Sequence, residues 1–308
     1  MKRSAFLLAV LLCCSVAASS DATKRPRILG IASVRIAAPP DAAAGFYTRQ
    51  LGFNLEGEIC GGACFARVGV DSRQRIELVN RDPIDPRTLE PRVSYLRQIT
   101  FETSDIEALH LYFKSRGIPA GDIFSFDADG ANPQFGLDDP EGHAIGFMQL
   151  KGRDIYRHTE NQVSARLIHA GFVVRDRAAM DRFYKDILGF HVYWHGGMKE
   201  GEDNWVDMQV PDGTDWIEYM LNVSPNADHH TLGVMNHIAL GVPDIKVARE
   251  QLIKNGWKPG EEPKIGRGGK WQLNVYDPDD TRIEFMEFTP TQKPCCSEYT
   301  GPHPGPKQ

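Results

Sequence analysis

The chain has 308 residues, 41% of them hydrophobic and 9% aromatic, enough for two ordinary domains with real cores, so wholesale disorder is excluded. Its formal charge of −6 comes from acids and bases mixed along the sequence without a basic block, which argues against a nucleic-acid partner. Beyond the first twenty residues no apolar run is long enough to span a bilayer.

Lys2 and Arg3 precede an apolar run, Ala5 to Leu12, and small residues follow from Ser15 to Ser20. This is the pattern of a secretory signal, so residues 1–20 are expected to direct export, to a periplasm or outside the cell. Cys13 and Cys14 lack the preceding small residues that lipid attachment requires. Cys60, Cys64, Cys295 and Cys296 remain after cleavage. Export permits disulfides among them, and their pairing stays open.

The chain then repeats itself. An alternating strand, Ile31 to Ile36, leads into Phe46-Tyr47-Thr48-Arg49-Gln50-Leu51-Gly52-Phe53. Its counterpart, Ile168 to Val174, leads into Phe183-Tyr184-Lys185-Asp186-Ile187-Leu188-Gly189-Phe190. Each predicts a strand and a short amphipathic helix stopped by Gly52 or Gly189. A second pair interleaves: Gln98 to Phe101 with Asp105 and a helix ending near Gly117, and His237 to Leu240 with Asp244 and a helix ending near Gly256. Asp139-Pro140, Pro211-Asp212 and Asp277-Pro278 mark tight turns before final strands. The order is strand, helix, several strands, four times over, an α+β chain of four βαβββ modules at 30–82, 94–150, 165–223 and 233–289. Two domains, 28–150 and 164–289, are expected, joined by a polar linker at 151–163 and followed by an irregular Pro- and Gly-rich tail at 290–308.

In the C-terminal half, His169 begins one module's first strand and Glu218 lies in its last; His237 and Glu284 hold the same places in the next module. Imidazole and carboxylate together suit borderline divalent metals. Glu218 and Glu284 sit in otherwise apolar strand ends, where an unpaired carboxylate is costly. All four in register predict one divalent metal ion per chain, with Ni2+, Zn2+, Fe2+, Mn2+ and Co2+ all open. In the N-terminal half Ala32, Gln98 and Gly146 take the corresponding places and only Glu77 matches, so no metal is expected there.

The strand His, the FY…LGF helix, the Pro-Asp turn and the final Ile-Glu strand resemble the vicinal oxygen chelate superfamily, which includes glyoxalase I, extradiol ring-cleaving dioxygenases and bleomycin-resistance-type proteins. The resemblance covers nearly all of the mature chain. It implies two open, cup-shaped mixed sheets built from paired modules, with a metal inside one cup and a small-molecule substrate. Its glyoxalase I-like form implies a lyase or isomerase in which the metal stabilises an enediolate and Glu284 or Glu218 is the base. Asn222 then matches a glutathione-contacting place, although Val173 stands where a basic partner is expected.

A dioxygenase form would use His169, His237 and Glu284 with Fe(II). Glu218 then stands in the place of the acid–base His and Asn274 in that of the active-site Tyr, with Tyr276 as a substitute two residues on. A third class is a non-catalytic binder of small molecules. Arg267-Gly268-Gly269-Lys270 is either a basic loop for an anionic substrate group or a flexible hairpin loop. Asp228-His229-His230 reads as an exposed loop, and His195 as a candidate cup residue. A monomer and a homodimer are both compatible with the sequence.

Overall fold

A computed structural model describes residues 24–38, 40–60, 64–79, 96–126, 130–151 and 158–306. The expected export signal at 1–20 lies outside them.

The first module runs β1 (Ile28–Ala37), α1 (Pro40–Gly45), β2 (Asn54–Cys60), β3 (Cys64–Gly69) and β4 (Arg75–Val79). The second runs β5 (Leu96–Thr103), α2 (Ile106–Ser115), β6 (Gln134–Asp138) and β7 (Ala144–Met148). The third has β8 (Leu167–Val173), α3 (Arg177–Asp181), β9 (His191–Gly196), β10 (Trp205–Gln209) and β11 (Trp216–Met220). A connecting α4 (His229–Met235) leads to β12 (His237–Val242), α5 (Ile245–Lys254), β13 (Lys264–Ile265), β14 (Trp271–Tyr276) and β15 (Arg282–Glu287).

The helix signals act as expected. Asp105, Asp176 and Asp244 cap α2, α3 and α5 by accepting backbone N–H groups of the first turn. The FY…LGF segments each continue a short α-helix as a π-helical turn, Phe46–Gln50 and Arg182–Ile187. Gly52 and Gly189 then turn the chain at φ +76° and +79°.

The even modules are shorter than expected. Where the second would have its second strand, the described residues form only a bridge between Phe124 and Gln134. In the fourth, that strand is the two-residue β13. Pro119 and Gly121 in one segment, and Pro259, Gly260 and Pro263 in the other, interrupt the ladder.

The first sheet has the order β2-β3-β4-β1-β5-β7-β6, the second β13-β14-β15-β12-β8-β11-β10-β9. Modules one and two therefore share one mixed sheet, and three and four the other. The joints are the antiparallel pairs β1–β5 and β8–β12, flanked by parallel pairs. Strand alternation divides the second sheet. Ile217 and Tyr219, Val206 and Met208, Leu273 and Val275, and Ile283 and Phe285 face a large apolar core that also holds Phe183, Tyr184, Ile245 and Leu252. The alternate residues face the cup.

The two halves pack by a different pairing. Tyr47 of module one donates to Asp277 of module four, and Tyr184 of module three donates to Asp139 of module two, each at 3.1 Å. The repeated Tyr and the repeated Asp-Pro turn are thus partners across the halves. Between them lies a buried polar joint. Asp215 ion-pairs with Arg166 and accepts from Ile31 N, while Gln74 exchanges 2.8 Å bonds with the backbone of Leu167.

Candidate metal centre

The joint between β8 and β12 brings two imidazoles face to edge. His169 and His237 approach at 3.1 Å between Nε2 atoms. Gly171 opposes His237 across the ladder, and any Cβ there would collide with the imidazole, so Gly171 leaves the room the ring occupies. Glu218, on β11 beside β8, reaches within 3.2 Å of His237 Nε2 and 3.9 Å of His169 Nε2. Glu284, on β15 beside β12, lies 3.6 Å and 3.8 Å from the same atoms. His237 Nδ1 stands 3.1 Å from Met235 O, which fixes the ring and leaves Nε2 toward the cup.

Burial sets the charges. It pushes both imidazoles well below their usual range, aided at His169 by His237 and at His237 by Arg282. It pushes Glu218 and Glu284 up to about 7, with Arg282 pulling both back. Arg282 is the protein cation beside Glu284, at 3.9 Å. One ligand atom each of His169, His237 and Glu218 lies within 4.8 Å of the others, a group of two neutral imidazoles and a desolvated carboxylate that could hold a divalent cation, and Glu284 stands beside it.

The cup around this point has a volume of about 580 Å³. Its wall includes Trp194, Trp205, Trp216, Asp207, Lys270 and Tyr299. Burial raises the Asp207 carboxyl well above the usual range, with Glu218 raising it further. The tail roofs the cup. Cys295 N donates to Arg267 O, Trp194 Nε1 to Cys295 O, Tyr299 OH to Gly268 O and Thr300 N to Tyr193 O. Cys295 and Cys296 are joined by a disulfide. Cys60 and Cys64 are register partners on β2 and β3.

The other sequence expectations divide. Arg267 and Asn274 line the cup. Arg267 also donates to Gly197 O at 3.0 Å, and Asn274 to Glu261 at 3.1 Å. Asn222 stands away from the cup wall: it is exposed, at φ +62°, and ties the strand end to Asp203 O. Tyr276 also stands off it, its hydroxyl donating to Glu261 at 3.0 Å. His195 turns to Asp203 at 2.7 Å. Asp228 caps α4, and His230 faces Asp280 at 3.7 Å. Sequence reasoning missed Asp207 and Tyr299. Asp207 alternates with apolar residues on β10, a legible signal, whereas the tail carries no periodicity.

In the N-terminal half a protein cation meets the one matching carboxylate. Arg35 reaches Glu77 at 2.7 Å and Gln98 at 2.9 Å. Glu77 is thereby satisfied without a metal, and Glu77→Gln is expected to leave metal content unchanged. Metal analysis of the purified variant checks this; loss of the ion would place the centre in the wrong half.

The family model "Glyoxalase/Bleomycin resistance protein/Dioxygenase superfamily" matches residues 32–147 and 166–285. A probable chloroplastic lactoylglutathione lyase of Arabidopsis thaliana is 24% identical over 135 residues, 42% of this chain and 38% of that relative. Among solved structures, a variant of homoprotocatechuate 2,3-dioxygenase from B. fuscum in complex with HPCA is 20% identical. It covers 91% of this chain and 74% of its own, with a TM-score of 0.63. The Arthrobacter globiformis homoprotocatechuate 2,3-dioxygenase is 17% identical, covering 85% and 80%, with a TM-score of 0.61. An anaerobic complex of the Brevibacterium fuscum enzyme with 3,4-dihydroxyphenylacetate is 20% identical, covering 91% and 84%, at 0.61. At these identities the structures speak for the fold.

Proposed function

The chain belongs to the glyoxalase/bleomycin resistance protein/dioxygenase superfamily, and from that premise we propose that it is a metal-dependent lyase or isomerase acting on a small molecule with vicinal oxygens. The observation that carries this reading is the second carboxylate, Glu218, within 4 Å of both imidazoles and opposite Glu284. His169, His237, Glu218 and Glu284 would hold the ion. When bound, it supplies a Lewis acid for a carbonyl and its adjacent oxygen.

The protein's own groups divide the remaining work. Glu284 is the more buried carboxylate, its side chain 5% exposed against 14% for Glu218, and has Arg282 beside it. Glu218 is the freer of the two and is the base that moves a proton between adjacent carbons. The tryptophans and Tyr299 exclude water from this transfer. The name of the Arabidopsis relative agrees in reaction class. Asn222, outside the cup wall, lends no support to glutathione, and Tyr276, held by Glu261, lends none as the substitute for the active-site Tyr of ring cleavage. Export of the chain remains part of this proposal.

Glu218→Gln tests the assignment. Turnover of a hemithioacetal should fall by about two to four powers of ten while the protein stays folded. Robust oxygen uptake with any catechol by Fe(II)-loaded protein would instead make it a dioxygenase.

Metal uptake has a definite pH sign. The imidazoles are held neutral, so the protons a cation must displace sit on Glu218 and Glu284, near pH 7. Affinity should therefore rise with pH up to about 7 and level off above about 8, with protons released on binding below that range. Calorimetry in buffers of different ionisation enthalpy reads both quantities. Affinity independent of pH from about 5.5 to 8 would contradict the assignment.

A further inference from the structure

Lys270 is a buried amine that lines the cup with no ion pair among the described residues, and burial lowers its pKa to about 7, so an anion beside it would hold its charge. It follows the Gly266–Gly269 turn at the start of β14, and only 1% of it is exposed. Its ammonium stands 4.8 Å from the ring centre of Trp216, 5.1 Å from Tyr299 and 5.3 Å from Tyr193. Its hydrogen bond goes to Tyr193 OH at 3.4 Å, and no ion pair within 4 Å reaches it among the described residues. Asp207 and Glu284 act on it only through the field. Neither carboxylate forms an ion pair with it within 4 Å, and Glu284 lies 3.6 Å from His237 and 3.8 Å from His169 instead. Three ring faces offset part of the cost of burying the charge, but an ammonium has three donors and one is used.

A second observation is the charge of the wall. A chain of net charge −6 lines this cup with five lysine and arginine side chains against three carboxylates, Asp207, Glu218 and Glu284. Two of those three, Glu218 and Glu284, would face the divalent ion of the proposed centre. With an ion bound the cup would carry net positive charge, and a positive cleft with apolar walls concentrates anions. Trp194, Trp205 and Trp216 make the walls flat and apolar.

We propose that the substrate is an organic carboxylate, a compact flat molecule that presents vicinal oxygens to the metal and its carboxylate to Lys270 beneath Tyr299. This rests on the metal-centre reading above and adds the substrate's charge to it. Arg267, held against Gly197 O at the rim, guides the anion inward.

Two probes share a ring and adjacent hydroxyls and differ in charge: 3,4-dihydroxyphenylacetate and 4-methylcatechol. Binding to the full chain loaded with redox-inert Zn2+ is read anaerobically by quenching of the cup tryptophans. The acid should bind at least about tenfold more tightly than the neutral probe. Lys270→Met fills the aromatic cage without the charge and should abolish that preference, leaving the neutral probe within about twofold. Lys270→Arg should keep it. Equal binding of both probes to the wild type, or equal weakening of both by Lys270→Met, overturns the proposal. Metal content of the same samples separates the two readings. Full occupancy with no charge preference sinks the carboxylate site alone, whereas absence of the metal from the wild type sinks the centre beneath it as well.

Discussion

His237→Ala should empty the metal centre and abolish turnover. His237 lies close to all three of the others, 3.1 Å from His169, 3.2 Å from Glu218 and 3.6 Å from Glu284. Its ring is fully buried, and its Nδ1 is engaged by Met235 O. Losing a residue that merely orients a ligand typically weakens metal binding by about 10- to 100-fold, so losing the ligand should exceed that. The two carboxylates would then repel across a dry gap, and the easier outcome is that they keep their protons. Metal occupancy should fall from one ion per chain to a trace, with the circular dichroism spectrum retained. His169→Ala should behave alike. Full occupancy in either variant would mean that modules three and four do not share an ion.

The second large effect is on folding. Arg166 and Asp215 form an ion pair with both side chains essentially inaccessible to water, at the seam between the two sheets. Asp215 also accepts from Ile31 N and lies 3.4 Å from Gln74 Nε2, and Gln74 in turn holds Leu167. Arg166→Ala leaves the Asp215 carboxylate buried without its cation, and breaking such a pair costs about 3–5 kcal/mol. Urea unfolding should show the loss. The double variant Arg166→Met/Asp215→Leu, which removes both charges, should recover much of it. A single variant within about 0.5 kcal/mol of wild type would show the seam to be wet and the pair dispensable.

Much of this architecture was written in the repeat. The FY…LGF helices and the Asp-Pro turns announced four modules, because duplicated units must bury duplicated faces, and the repeated His and Glu pointed to strand positions of which His169, His237 and Glu218 form one compact group with Glu284 beside it. The reason for the repeated Tyr and Asp was not legible. Tyr47 meets Asp277 and Tyr184 meets Asp139 across the halves, a relation no local pattern encodes. Nor was the thinning of the even modules, where Pro and Gly break a ladder that the odd modules keep.

The cup's other walls depended on distant chain segments. Lys270 read equally well as part of a flexible loop or of an anion site, since only the convergence of Trp216, Tyr193 and Tyr299 shows that it is buried. Tyr299 lies in a Pro-rich tail, and its docking rests on hydrogen bonds to Gly268 and Tyr193 rather than on any strand or helix. Asn222 and Tyr276 were chosen by position in a motif. A left-handed backbone turns the first away, and Glu261 holds the second.

Anomalous diffraction at the metal edge, on crystals of the full chain loaded with a divalent ion, tests the central claim most directly. The prediction is one strong peak per chain, within about 2.0–2.3 Å of Nε2 of both His169 and His237 and of a carboxylate oxygen of both Glu218 and Glu284. A peak beside Glu77, or two peaks that divide these four residues between them, would contradict it.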